Sequence, residues 1–574
     1  MKRILIYVFF VCGIILLHAA PLENIPLIIT QPDGTEVLCY ASGDEYFNWL
    51  HDKDGHIIIK DTISQYYCYV LEDTDSLVKI LNNQVNKLPF RKSAKNHVID
   101  RNKMISMYNQ LENKPYRLIL NRSVLHNVIN NIVIYITFSD QDDYTASEIS
   151  SISAMYNDSV VNANSVKQYF LKSSYNILTI NSYFYPSDAT TFSYKDDKPR
   201  NYYCPYSLSN PIGYTESLRK GREDSLLIKA ITYIQHQIPS TLDLDTDKDG
   251  NVDNICFIIR GGTTAWNTLL WPHKWSLKQN KTINGIKVYN YNLQLYDFSI
   301  LYGVGVLCHE FGHTLGLPDL YHGYADSTAS KWSPIGVWDI MAEDGYYPQQ
   351  TSGYMKYKYL KWIDDIPEIT QNGRYTLSPI SSSKQCYKIR IDDSSEFLFI
   401  EYRNKKHIYD TSLPNSGLLI YRVNPTKNGN FNAVECGGVN DEIYVYRPNG
   451  NFTSDGQIGL APFCIELGAT SFGSTTNPQQ FLSNGNIGNI YIYNITTCNS
   501  TISFDVKICS SSDVIYNDED MIPTYTNAKS ITTIGDIILS TGNTVFEGSE
   551  QIILGGGFEV LNGASFEAVV IPCE

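Results

Sequence analysis

"HEFGHTLGLPDLY", residues His309–Tyr321, decides how the rest of this 574-residue chain is read. On a helix, residues four apart share one face, so His309 and His313 aim two imidazoles at one point. Glu310, beside the first of them, reaches that point without being a ligand. Two nitrogens leave a zinc ion one protein ligand short, because catalytic zinc sites use three protein donors and keep an open position. The residues that follow address the gap. Gly316 can take the left-handed conformation that ends a helix, Pro318 keeps the helix from resuming, and Asp319 can fold back as third ligand. The expected zinc set is therefore His309, His313 and Asp319. Zinc lowers the pKa of its water from ~15.7 to ~7, and Glu310 can take that proton and pass it to a leaving amine. A bare H-E-x-x-H is a modest signal. The placed glycine and aspartate lengthen it to H-E-x-x-H-x-x-G-x-x-D.

Further on, "GVWDIMAEDG" (336–345) puts Met341 about twenty residues past Asp319. A methionine there matches the turn of the metzincins, in which a Met lies under the metal and packs against the histidines. With these segments the chain resembles secreted bacterial metallopeptidases of the immune inhibitor A type, the M6 peptidases. "WPHKWSL" (271–277), "LPNSGLLIYRV" (413–423) and the N-terminal "QPDGTEV" and "GDEYFNWLHDKDGH" are similar to segments of that family. The resemblance covers about 25–510. It implies a zinc endopeptidase that is made as a precursor and hydrolyses peptide bonds in protein substrates. It assigns the zinc ligands to His309, His313 and Asp319 and the acid/base to Glu310. One position departs from the metzincin pattern: Glu343 stands where some members carry an oxyanion-steadying tyrosine, with Tyr346 and Tyr347 nearby.

The fold expected is a multidomain α/β (α+β) metzincin-like peptidase between β-rich flanks. Lys2 and Arg3, then the 14-residue apolar run "ILIYVFFVCGIILL" and "HAA", read as a signal peptide over 1–19. The run is short for a membrane span, so an uncleaved anchor is the weaker alternative. Residues 20–115 read as a propeptide and linker, with short strands and turn signals to about 90 and then a polar, basic stretch; a permanent N-terminal domain is the alternative. From 125 to 365 the pattern is α/β and carries the catalytic motif. Leu227, Ile231, Ile234 and Ile238 share one helical face that stops at Pro239, and "FSILYGVGVLCHEFGHTL" reads as one apolar helix. From 366 to 510 strands dominate, as in a β-sandwich. From 523 to 574, Gly535, Gly542, Gly548, Gly556 and Gly563 recur about every seven residues and suggest stacked β-coils. This last module is the candidate for cell-surface attachment.

A second cluster lies in "LDLDTDKDGNVDNI" (242–255). Asp245, Asp247, Asp249, Gly250 and Asp253 match five positions of a calcium loop, but Cys256 replaces the usual bidentate Glu. The expected ion is calcium in a structural role, with a solvated acidic turn as the alternative. Cysteines are scattered: Cys256 and Cys308 sit in apolar runs and read as buried thiols, and Cys498 with Cys509 is a local pairing candidate. Cys39 could cap the zinc, although a buried thiol fits it better. The formal net charge of −15 excludes a nucleic-acid binder with a basic face. No second span follows the leader, so export is expected: to the medium or cell surface, with periplasmic transit if the source has two membranes. The competing function is an inactive surface protein that binds glycan or protein through its β regions. An intact Glu310 and ligand set weigh against it.

Overall fold

A computed structural model describes residues 22–43, 48–60, 66–71, 79–84 and 127–570, apart from 189, 207–209, 263–268, 324–332, 392–393, 432–439, 511 and 519. The expected leader and basic linker lie outside these residues. Among the described residues, no helix is long and apolar enough to cross a membrane.

Six short strands between Leu22 and Gln84 form an antiparallel meander in sequence order. Cys39 is buried inside it with Ile29, Ile58 and Tyr69, and burial pushes its thiol up to about 11.

The segment that carries the histidine motif is built on a mixed sheet. Strands β1 (Asn127–Thr137), β2 (Leu178–Tyr185), β3 (Ile255–Ile259), β4 (His273–Ser276) and β5 (Asn290–Leu295) lie in the order β4-β5-β3-β1-β2, and Tyr194–Lys195 also pairs with β1. All are parallel to their neighbours except the edge strand β4, which runs antiparallel to β5. Every residue of β3 is buried, as a parallel strand covered on both faces requires. One cover is α3 (Glu216–Ile234), which buries Leu227, Ile231 and Ile234 against Ile134 and Phe257. It starts eleven residues before Leu227, the first of the periodic apolar positions, and ends in a 3-10 turn before Pro239. The other cover contains α1 (Ala146–Asn157), capped by a Thr145–Glu148 capping box, and α2 (Val166–Ser173), capped by Ser165.

The single apolar helix expected over 298–315 is two: α4 (Tyr296–Tyr302) and α5 (Val304–Thr314). Gly303 breaks it, with φ at +76°, and the ring of Tyr346 occupies the space a side chain would need there. All eleven residues of α5 are buried. A helix with no solvent face needs a core on every side, and the downstream β region supplies part of it.

That region contains an antiparallel sheet of β6 (Tyr387–Arg390), β7 (Phe397–Arg403), β8 (Gly417–Val423) and β9 (Ile443–Val445), in sequence order. Its two faces serve two cores. Phe399, Leu419, Tyr421 and Val445 join Leu307, Phe311 and Met341. Leu398, Ile400, Leu418 and Ile420 meet a three-stranded sheet of Gly373–Leu377, Ile490–Tyr493 and Ile502–Ile508 through Ile492 and Phe504. Beyond it, Val514–Tyr516, Tyr525–Thr533, Gly542–Ile553 and Ala564–Val570 stack in parallel. Tyr525 pairs with Val545 and Val545 with Glu567, so one coil takes about three of the seven-residue intervals. Cys509 is disulfide-bonded, whereas Cys498 is a free thiol, so the local pair does not form. The Cys498 sulfur sits instead 3.4 Å from Glu466 Oε2.

Candidate metal centre

The helix carrying the histidines is fixed before any metal is considered. Thr314, next to His313, lies within hydrogen-bonding distance of Asn254 (3.0 Å) and Asn292 (3.1 Å). Asn254 donates to Asn131, which donates to Ser182. This buried polar chain crosses four neighbouring strands or their ends and sets the rotation of α5 over the sheet. Below the helix, Met341 has no exposed surface. A Cβ on Gly312 would lie 2.8 Å from its Sδ, so the residue before His313 must be small for the methionine to approach. Asp339 holds the methionine turn by accepting from Met341 N at 3.0 Å, Thr351 Oγ1 at 2.9 Å and Ser352 N at 2.7 Å. Arg403 of β7 donates to Trp338 O at 2.9 Å and pairs with Asp410.

Gly316, with φ at +92°, ends α5. Leu317 N donates to Gly312 O and Gly316 N to His313 O, both at 3.0 Å, the two bonds of a Schellman cap. The chain then turns back and brings Asp319 to the histidines. His309 Nε2 and His313 Nε2 are 3.2 Å apart, and Asp319 Oδ1 lies 3.5 and 3.2 Å from them. His309, Glu310, His313 and Asp319 are each at most 8% exposed.

The proton positions decide what this cluster can hold. His309 Nδ1 faces Ile340 O and His313 Nδ1 faces Leu317 O, each at 2.9 Å. A carbonyl only accepts, so both ring protons belong on Nδ1 and both Nε2 lone pairs face inward. Neither Asp319 oxygen finds a hydrogen-bond donor. Two lone pairs and a carboxylate then converge on one point, which is unstable without positive charge. Burial disfavours charge on His309, yet the adjacent Asp319 overrides it and pushes the imidazole up to about 10. Asp319 is held low against its own burial by His313 and His309. Two neutral imidazoles and one carboxylate, fixed by carbonyls behind them, suit zinc. Burial raises Glu310, opposed by His309, His313 and His273, and its Oε2 has no partner.

The sequence did not single out His273. It sits on β4, beside α5, with Nδ1 facing Trp271 O at 2.7 Å and Nε2 facing Glu223 at 3.2 Å. "WPHKW" was its only signal. Glu343 is turned toward Gly336, and Tyr346 covers Gly303 at the far end of α5 from His313. Neither carries an assigned oxyanion role.

The acidic loop is brought together in part. Asp245, Asp247 and Asp253 have carboxylate oxygens within 4.8 Å of one another. Asp249 stands outside this group, because its oxygens accept from Asn251 N at 2.7 Å and Asn251 Nδ2 at 3.0 Å. Burial and neighbouring aspartates raise Asp247 to about 6; burial, against hydrogen bonds from Thr246, raises Asp253 to about 7. Cys256 points to Tyr156 inside the core.

A helix that presents two histidines, a folded-back aspartate and a buried glutamate is what a metallopeptidase needs, and residues 123–356 match the model of the immune inhibitor A peptidase M6 catalytic domain. A particular relative is the pre-pro-metalloprotease PrtV of Vibrio cholerae serotype O1, matched in strains M66-2 and ATCC 39315 / El Tor Inaba N16961. Each match is 23% identical over 229 residues, 35% of this chain and 24% of the relative. The chain thus spans about a quarter of the length of the curated relatives it matches.

Proposed function

We propose that this chain is an exported zinc endopeptidase that hydrolyses peptide bonds in proteins. One observation carries the reading: the inward-facing Nε2 atoms of His309 and His313 meet an unpartnered Asp319 carboxylate beside a buried Glu310. His309, His313 and Asp319 would hold the zinc, and Met341 supports them from below. When bound, zinc supplies a Lewis acid that polarises the peptide carbonyl and acidifies a water. Glu310, its proton affinity raised by burial, takes the proton of the attacking water and delivers it to the departing amine. The edge strand β4 lies beside α5 and can pair with an extended peptide through its outer backbone groups. Export and precursor processing rest on the leader-like N-terminus, the basic linker and the precursor form in the relative's name. Calcium on Asp245, Asp247 and Asp253 would brace the turn entering β3.

Replacing Glu310 with Ala tests the reading. Hydrolysis of casein should fall by at least ~10²-fold, the lower range for a general acid–base group, while zinc stays bound at one ion per chain. Retained activity would sink the assignment.

A further inference from the structure

Asp319 lies in a loop, not on the helix that holds the histidines, and its carboxylate accepts no hydrogen bond that would aim it. Its direction must come from its backbone. That backbone is held from outside the catalytic segment. Asn430 N donates to Asp319 O at 2.9 Å, and Asn430 Nδ2 donates to Leu320 O at 3.0 Å. Leu320 N in turn donates to Met341 O at 2.9 Å. The Asn430 side chain is itself locked. Nδ2 also donates to Ile443 O at 2.9 Å, and Oδ1 accepts from Glu442 N at 2.9 Å and Ile443 N at 3.2 Å. All four of its hydrogen-bonding positions are used, with no surface exposed. Gly429, at φ +70°, lets the backbone come this close: a Cβ there would lie 2.7 Å from Asp319 O. A second tie follows three residues after Asp319, where His322 Nε2 meets Asp441 Oδ1 at 2.6 Å.

We propose that Asn430 is a positioning residue for the third metal ligand, and that the segment around Gly429–Asn430 completes the metal centre from the β region. The proposal rests on the zinc assignment above. Asn430 carries the aim of Asp319 to the same β9 edge that packs against the methionine turn. An aspartate at 430 is nearly isosteric and keeps the acceptor for Glu442 N and Ile443 N. It replaces the amide donors with an oxygen facing the carbonyls of Leu320 and Ile443, which pushes the loop away.

The test compares full-length wild type with Asn430→Asp and Asn430→Ser, each first confirmed folded by near-UV circular dichroism. Zinc affinity is measured by competition with a chromophoric chelator, and geometry by the visible spectrum after cobalt substitution. Outer partners of metal ligands are typically worth about 10–100-fold in affinity. Both variants should weaken zinc by that range and shift the cobalt bands. The serine variant, which removes the amide donors without putting an oxygen against the carbonyls, should be the milder. A merely structural role would lower the Tm of the metal-free protein and leave the cobalt spectrum unchanged. Zinc affinity within twofold of wild type, with an unchanged cobalt spectrum, would overturn the proposal. Failure of wild type itself to bind zinc would sink the metal assignment, not this inference alone.

Discussion

Around His309, His313 and Asp319 the donor atoms are turned toward one another and away from other partners. In the Asp245–Asp253 loop most carboxylate oxygens are taken up by the loop's own bonds. Asp253 accepts from Thr246 N and Oγ1, and Asp245 accepts from Asp249 N and Gly250 N. Asp247 Oδ2 is the one buried oxygen there without a partner. The first cluster is also buried on all sides, whereas in the second Asp245 and Asp247 are half-buried, Asp249 is exposed and only Asp253 is buried. The difference separates a cluster whose donor atoms face one another from a loop whose acids are bonded within the loop itself. The number of acids in a motif does not predict this; the partners of each oxygen do.

The largest expected effect follows from removing one acid from each cluster. Asp319→Ala should strip nearly all zinc from the purified protein and abolish casein hydrolysis, since two histidines alone make an incomplete site. Asp247→Ala should leave the zinc content at wild-type level. Equal zinc losses, read by elemental analysis, would break the contrast. Next comes the support of the first cluster. Gly312→Ala places a Cβ 2.8 Å from Met341 Sδ, and overpacking of this kind costs about 1–3 kcal/mol. A Tm equal to wild type would show that the methionine is free to move aside. The smallest effect belongs to the acidic loop. Removing calcium with a chelator too weak to take zinc should lower the Tm, and Asp247→Asn should erase that difference. An unchanged Tm in wild type would make the loop a plain acidic turn.

Much of the first cluster was legible because its residues lie within eleven positions and one helix turn sets their geometry. His309, Glu310, His313, Gly316 and Asp319 needed only local rules. Met341 needed the resemblance. Asn254, Asn430 and, apart from "WPHKW", His273 were not legible, because each reaches the site across the fold; Thr314 lies inside the motif, but its partners Asn254 and Asn292 are distant in sequence. The strands of the β region were visible as apolar runs. Their sharing of a core with α5 was not, since hydrophobicity does not say which partner covers a face. The break at Gly303 was missed for a related reason: a glycine inside an apolar helix pattern carries no local sign of the tyrosine ring that will fill its space. Asp249 failed differently, as its own Asn251 competes for both oxygens.

The sheet of β7 and β8 has a consequence for how the chain finds its alignment. Both faces of these strands are apolar, so a slip by one residue would still bury hydrophobic side chains, and pattern alone would not reject it. Glu401 and Arg403 would not survive the slip. Arg403 now meets Asp410 and Trp338 O toward the catalytic core, and Glu401 accepts from Gly353 N and Tyr421. Turned over, they would enter the sandwich core among Leu398, Ile400 and Phe504 with no partners, and an orphaned buried charge costs about 3–5 kcal/mol. These ions act as an alignment key: they make one of two equally greasy pairings unaffordable, and the floor beneath Met341 is assembled only from the right one.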